Sequence, residues 1–141
     1  MSDINQNKMI VRQFFEQIWN LKDESAIDRF IAEDAVGNDP KFGVGRESFI
    51  KQWGKLQTAF PDIHFEIKEL VAEANVVVSR WVLTGTHLGL YQDMPATGKK
   101  ISVDGVSIDR IENGMVVSGF DAWDSQVLVS QISSSKAVEI K

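Results

Sequence analysis

The hydrophobic pattern changes period once along this chain, at Pro61, and that switch restricts the fold more than any other feature. Before Pro61, apolar residues recur at spacings of three and four, as one face of a helix requires. After it they alternate, or run on as β-branched stretches, as strands require. A chain that is helical first and stranded afterwards is α+β, because its helices cannot interleave with parallel strands. The expectation is a curved, mostly antiparallel sheet packed on one side against three N-terminal helices.

The helical half reads in three segments. Met9, Ile10, Phe14, Ile18 and Leu21 form one apolar row, with Phe15 and Trp19 beside it. A shorter helix fits Glu24 to Ile31, capped by Asp23, with Ile27, Phe30 and Ile31 inward. AEDAVGNDPKFGVG then breaks the pattern as a loop, with a short extended piece around Ala35-Val36. The third helix runs from about Arg46 to Ala59 on Phe49, Ile50, Trp53, Leu56 and Phe60, and Pro61 stops it.

In the second half, Ile63, Phe65 and Ile67 alternate with His64, Glu66 and Lys68. VVVSRWVLTGTH follows as a central strand, then a loop from Leu88 to Lys99, then KISVDGVSIDRI with Gly105 as a bulge or bend. Asn113-Gly114 lies between two apolar runs. Both residues tolerate positive φ, so the pair predicts a type I′ hairpin. The last strand spans about Met115 to Trp123, and a short amphipathic stretch on Val127, Leu128 and Ile132 follows. One domain is expected over residues 1–141, ordered from about 5 to 132 with 133–141 as a tail.

Several chemistries are excluded by composition. Without cysteine there is no disulfide, thiol nucleophile or thiolate-bound metal. His64 and His87 do not sit at a metal-ligand spacing on one element, so no metal site is expected, and no nucleotide-binding glycine motif is present. Fifteen basic against twenty acidic residues, net −5, argue against nucleic acid or an anionic membrane as partner. The opening segment has no apolar run of signal-peptide length, and a cytoplasmic protein is expected.

A cavity argument remains, and it rests on the hairpin. A two-residue turn sets Glu112 opposite Met115, Arg110 opposite Val117, Ile108 opposite Gly119 and Val106 opposite Asp121. Val106, Ile108, Val117, Asp121 and Trp123 then share one face. Asp121 is the acid on that apolar wall. Desolvation raises the pKa of such a carboxyl, which suits it to proton transfer near neutral pH. Two other readings stand beside this one: Asp121 as a surface acid near a strand end, or turned to the other face by a bulge. Phe15, Trp19 and Trp53 read as core that can double as a pocket floor, and Trp81 and Trp123 as wall. Met94, within the His87–Gly98 loop, borders the pocket, and His87 reads first as a hairpin-end residue. Asn38-Asp39-Pro40 reads as a turn.

The order FFEQIWN, FPDIHFEI, SRWVLTGTHLG and PATGKKISVDGVSIDRIENGMVVSGFDAWD resembles the SnoaL-like polyketide cyclases of the nuclear transport factor 2-like superfamily, from about Asn7 to Ile132. TGTHLG, the Thr97-Gly98-Lys99 triplet and the hairpin with its Trp/Asp ending carry the resemblance. It implies an α+β cone around an apolar pocket, a homodimer formed through the sheet, and cofactor-free aldol chemistry on a small apolar molecule with one Asp as general acid/base. That Asp falls on Asp121. A polar residue that holds the enolate falls on Asn38, and a family histidine falls near Ser107. The chain departs from the pattern there, and simple pairing sets Ser107 on the face opposite Asp121. An enzyme acting on a carbonyl compound, a binding module that only sequesters an apolar metabolite, and a structural or partner-binding domain are the three functional readings.

Overall fold

The computed structural model describes residues 3–39 and 43–133. Helix α1 (Ile4–Gln13) continues into a π-helical segment (Phe14–Asn20), followed by α2 (Ser25–Phe30), β1 (Ile31–Gly37), α3 (Arg46–Ala59), β2 (His64–Glu73), β3 (Val76–Thr86), β4 (Lys100–Glu112), β5 (Met115–Trp123) and α4 (Ser125–Ser133). The five strands form one open sheet in the order β1-β5-β4-β3-β2. All neighbours are antiparallel except β1 and β5, which run parallel. The expected α+β class therefore holds, while β1, set between α2 and α3 and parallel to β5, breaks the expectation that strands begin only after Pro61.

Several elements fall where the pattern put them. Helix α3 occupies Arg46–Ala59, with Trp53 and Ala59 buried. Asn113 and Gly114 both have positive φ, at 52° and 78°, and Glu112 pairs with Met115 across a type I′ turn. The N-cap of α2 is Glu24 and not the expected Asp23, which lies one residue earlier and accepts from the Ser25 amide at 3.0 Å, while Asp124 caps α4 by accepting from the Gln126 amide at 2.9 Å.

The first helix departs from its expected form. From Phe14 the backbone pairs five residues back, as in the Leu21 amide bond to the Glu16 carbonyl, so the turn is wider than α. Phe14, Phe15, Ile18 and Trp19 all reach the core, while Leu21 and Met9 point to water, 65 % and 58 % exposed. Asn20 pins this segment to the sheet: its Nδ2 donates to the Phe65 carbonyl at 3.0 Å and its Oδ1 accepts from the Phe65 amide at 2.8 Å.

Two further corrections concern strands. Ile31, expected at the end of a helix, opens β1, whose seven residues are longer than the short piece foreseen at Ala35-Val36. Gly105 is regular strand, paired with both Trp81 and Trp123. Ser133 belongs to α4, its hydroxyl donating to the Val129 carbonyl at 2.7 Å. The rest of the expected tail, and Pro40 of the expected turn, lie outside the described residues. No helix among the described residues is long and apolar enough to cross a membrane.

The core fills the space between the helices and the inner face of the sheet. Aromatic rings join helices to strands at near-contact distances: Trp19 to Phe65 at 5.2 Å, Phe15 to Phe65 at 5.2 Å, and Phe65 to Trp81 at 5.0 Å edge-on. Tilted and edge-on pairs of this kind add about 0.5–1.5 kcal/mol each beyond their burial.

Candidate active site

The hairpin starts in the expected register and then slips. Ile111 faces Val116, but Arg110 faces Ser118, so Val117 is the extra residue of a bulge. Beyond it Asp109 faces Gly119, Ser107 faces Asp121 and Gly105 faces Trp123. The slip exchanges the faces of β4. Val103, Ser107, Asp109 and Ile111 are buried inward, while Val106 is half-buried and Ile108 is 41 % exposed on the outer face. The wall of Val106, Ile108 and Val117 expected around Asp121 is therefore replaced by Ser107, Asp109 and Gly119. Asp121 and Trp123 remain inward, and Ser107 is Asp121's direct neighbour, not a residue of the opposite face.

A cavity of about 140 Å³ lies between the π-helical segment, α3 and the inner sheet face. Phe15, Trp19, Phe65, Trp81, Leu83 and Trp123 belong to its apolar lining, and Asp39, Ser107, Asp109 and Asp121 form its polar patch. Of the residues singled out in the sequence, Phe15, Trp19, Trp81, Asp121 and Trp123 reach it. Trp53 does not: it is buried behind the π-helical segment, its Nε1 donating to the Ile18 carbonyl at 2.9 Å. Nor does His87, which is fully buried between strands. Its Nδ1 lies 3.0 Å from Thr97 Oγ1, and its amide donates to the Lys99 carbonyl. The TGTHLG and Thr97-Gly98-Lys99 strings thus meet each other and close the β3–β4 connection. Met94 sits in that connection, bridged to Tyr91 through both backbone groups, and also misses the cavity.

Asn38 is close to Asp121 but committed to it. Its Oδ1 accepts from the Asp121 amide at 2.8 Å and its Nδ2 donates to the Asp121 carbonyl at 3.0 Å. Both ends of the amide clamp the β5 backbone, so Asn38 holds Asp121 in place with one of its two N–H donors.

Around the Asp121 carboxylate the side chains form a directed chain. Trp81 Nε1 donates to Ser107 Oγ at 2.9 Å, and Ser107 Oγ donates to Asp121 Oδ1 at 2.6 Å. The indole can only donate, which commits the serine hydroxyl to donating onward. Asp121 is exposed on β5, as the surface-acid reading had it, but its carboxyl also lines the cavity, where desolvation is the largest influence and raises its pKa above the ordinary 3.8. The Ser107 hydroxyl opposes that shift, and the nearby Asp39 charge reinforces it.

Asp109 is the functional-looking residue that the sequence reading missed. It is 5 % exposed, and its Oδ2 has no hydrogen-bond partner. Burial pushes its pKa well above 3.8, and the Asp121 charge adds to the effect. Asp121 has a donor that favours its ionised form, while Asp109 has an orphaned oxygen. Of the two acids, Asp121 therefore ionises first and Asp109 retains its proton. A carboxyl with a raised folded-state pKa binds more protons folded than unfolded. Its contribution to stability therefore falls as pH climbs from the ordinary 3.8 toward the folded value. Asp109→Asn is expected to remove that slope. Urea denaturation of wild type and variant at several pH values should show the variant's relative stability growing from pH 4 to pH 7. Parallel curves would place Asp109 in a water-like setting.

Among the described residues, no cluster of three His, Asp or Glu side chains could hold a metal ion. An open five-stranded sheet folded over helices, with an apolar cavity and carboxyls on its inner wall, is an α+β fold shared with solved SnoaL-like proteins. The chain belongs to the SnoaL-like polyketide cyclase family, whose model matches residues 9–132. Among solved structures, TsrD from Streptomyces laurentii is similar over 96 % of this chain and 100 % of its own, at 21 % identity and TM-score 0.86. AclR from Streptomyces galilaeus, a candidate hydroxylase, matches over 92 % and 97 % at 26 % identity and TM-score 0.82. A candidate polyketide cyclase from Acidithiobacillus ferrooxidans matches over 94 % and 97 % at 27 % identity and TM-score 0.81. No protein of curated function matches in sequence.

Proposed function

We propose that the chain is a cofactor-independent enzyme acting on a small apolar carbonyl compound by general acid/base catalysis, of the aldol-cyclisation or isomerisation type. The observation that carries this reading is the Asp121 carboxylate, held on the wall of an aromatic cavity by the Trp81–Ser107 chain and the Asn38 clamp. Asp121 takes a proton from the carbon α to the carbonyl. The C–H electron pair passes into the enolate. In an isomerisation, Asp121 returns the proton at another carbon. In an aldol closure, the enolate carbon forms a C–C bond to a second carbonyl carbon of the same molecule, and the resulting alkoxide takes the proton from Asp121.

The reaction can be tested before its natural substrate is known. A panel of one- and two-ring ketones in D2O, followed by NMR, should show enzyme-dependent exchange of α-hydrogens. Ketones that bind without exchange would favour the alternative, a non-catalytic binding module for an apolar metabolite, which the predominantly apolar lining supports.

The protein is also proposed to act as a homodimer through the outer sheet face. Val71, Val78, Ile108 and Phe120 pair in one row straight across β2, β3, β4 and β5. Val71, Ile108 and Phe120 are 59 %, 41 % and 51 % exposed. A contiguous apolar row of this kind on a sheet face suits burial against a second copy. Sedimentation should give a dimer for wild type and a monomer for Ile108→Glu. A monomeric wild type at micromolar concentration would remove this assignment.

A further inference from the structure

Resting on the acid/base reading above, we infer that Asp109 is a hydrogen-bond donor to the substrate's carbonyl oxygen. The cavity's ligand is then a small apolar ketone lying with its oxygen toward Asp109 and its α-carbon toward Asp121. Three observations place it there. Asp109 lines the cavity from the inner face of β4, two residue pairs along the ladder from Ser107 and Asp121 and so on the same face. Its Oδ2 is buried and unpartnered, although a buried polar atom normally finds a partner. The strand opposite is built to give the carboxyl room. A Cβ on Gly119, the residue paired with Asp109, would lie only 2.9 Å from Asp109 Oδ1.

The charge balance of the patch fixes the direction of the hydrogen bond. With Asp121 ionised as the base, a second carboxylate beside it would repel both Asp121 and the forming enolate. A neutral carboxylic acid instead offers one O–H, and an apolar site can hold an acid in that form at neutral pH. During proton abstraction the α C–H bond breaks, its proton moves to Asp121, and the electron pair settles on the enolate oxygen. Asp109 keeps its own proton throughout and donates more strongly as charge builds on that oxygen. Asn38 is held at the Asp121 backbone through both ends of its amide, which leaves Asp109 as the buried acid with an unpartnered oxygen in the polar patch.

The test compares two probes of one shape, 1-tetralone and tetralin, which differ only by the carbonyl. Wild type should bind the ketone about tenfold more tightly than the hydrocarbon, the usual worth of one good hydrogen bond in a dry site. Asp109→Leu should bring that ratio to about one, and Asp109→Asn, whose amide still donates, should keep part of it. The infrared carbonyl band of tetralone bound to wild type should lie below its position in an apolar solvent, a readout that needs no variant. A ratio near one in wild type, an unshifted band, or a preference that survives Asp109→Leu would each overturn the proposal. Asp121→Asn should leave the ketone preference intact while abolishing exchange of the α-hydrogens. Loss of the Asp109 effect with exchange still dependent on Asp121 thus sinks this inference alone. Retained Asp109 discrimination without any exchange sinks the catalytic reading instead.

Discussion

Replacing Asp121 with Asn is expected to lower α-proton exchange, and turnover of the natural substrate, by about 10²–10⁴-fold, the range that a positioned general base normally contributes. The variant should fold as well as wild type. Asn is nearly isosteric with Asp, the Ser107 hydroxyl can still donate to its side-chain oxygen, and the Asn38 clamp grips only the backbone of residue 121. A loss of rate with an unchanged thermal midpoint and circular dichroism spectrum would therefore report chemistry and not damage. Ser107→Ala should separate tuning from catalysis. The Ser107 hydroxyl lowers the Asp121 pKa against the raising effect of burial, so its removal should push that pKa further up. Asp121 acts as base only when ionised, and the rising limb of the pH–rate profile should accordingly move to higher pH. The plateau rate at high pH should fall far less than in Asp121→Asn. Exchange that persists at the wild-type rate in Asp121→Asn would end the catalytic assignment.

What the sequence could reveal about this site depended on local and long-range information in different measure. Helix α3 and the Asn113-Gly114 turn are local: their spacing and their tolerance of positive φ lie within a few residues. The bulge at Val117 is not local. Nothing in MVVSGFDAW marks which residue is extra, because the choice depends on how β5 fits both β4 and the parallel strand β1. One unpaired residue exchanges the faces of the partner strand, and that is why Asp109 and Ser107 went unassigned to the cavity while Val106 and Ile108 were placed there. Asp121 was found on the correct face because its own strand's alternation between Gly119 and Trp123 is undisturbed beyond the bulge. The period around Phe14–Asn20 misled in a similar way, since a π-helical turn buries Phe14, Phe15, Ile18 and Trp19 together and turns Leu21 out. Trp53 and His87 show a further limit. Both are buried outside the cavity lining, Trp53 with its indole N–H on the Ile18 carbonyl and His87 with Nδ1 on Thr97 and Nε2 buried without a partner. The signal that could have found Asp109 is an acid in strict alternation with Val103, Gly105, Ser107 and Ile111, a pattern legible once the face is known.

Gly105→Ala should be among the most damaging single-methyl additions in the protein, and its effect should reach the site. The glycine pairs with Trp81 on β3 and Trp123 on β5, so a tryptophan flanks it on either side of the inner face. A Cβ at this position would sit 2.2 Å from Trp81 Cη2 and 2.5 Å from Trp81 Cζ2, distances that no relaxation of the ring in place can absorb. Trp81 is 3 % exposed and edge-packed on Phe65, which leaves the indole little room to turn. Either β4 shifts or the ring moves, and a moving ring breaks the Nε1 bond to Ser107 that orients the serine toward Asp121. Overpacking together with a lost buried hydrogen bond should cost about 2–4 kcal/mol, on the order of 10 °C in the thermal midpoint for a domain of this size. Gly54→Ala serves as the control. That glycine lies inside α3 with nothing within 4 Å of an added Cβ, and replacing a helical glycine by alanine should stabilise by about 0.5–1 kcal/mol. The two glycines thus predict opposite signs for the same chemical change. The Gly105 variant should also show a raised Asp121 pKa, because the hydroxyl that holds it down is no longer locked in place. Equal midpoints for wild type and Gly105→Ala would mean that Trp81 does not lie over the strand as described, and the aimed hydroxyl at the centre of the proposed mechanism would lose its support.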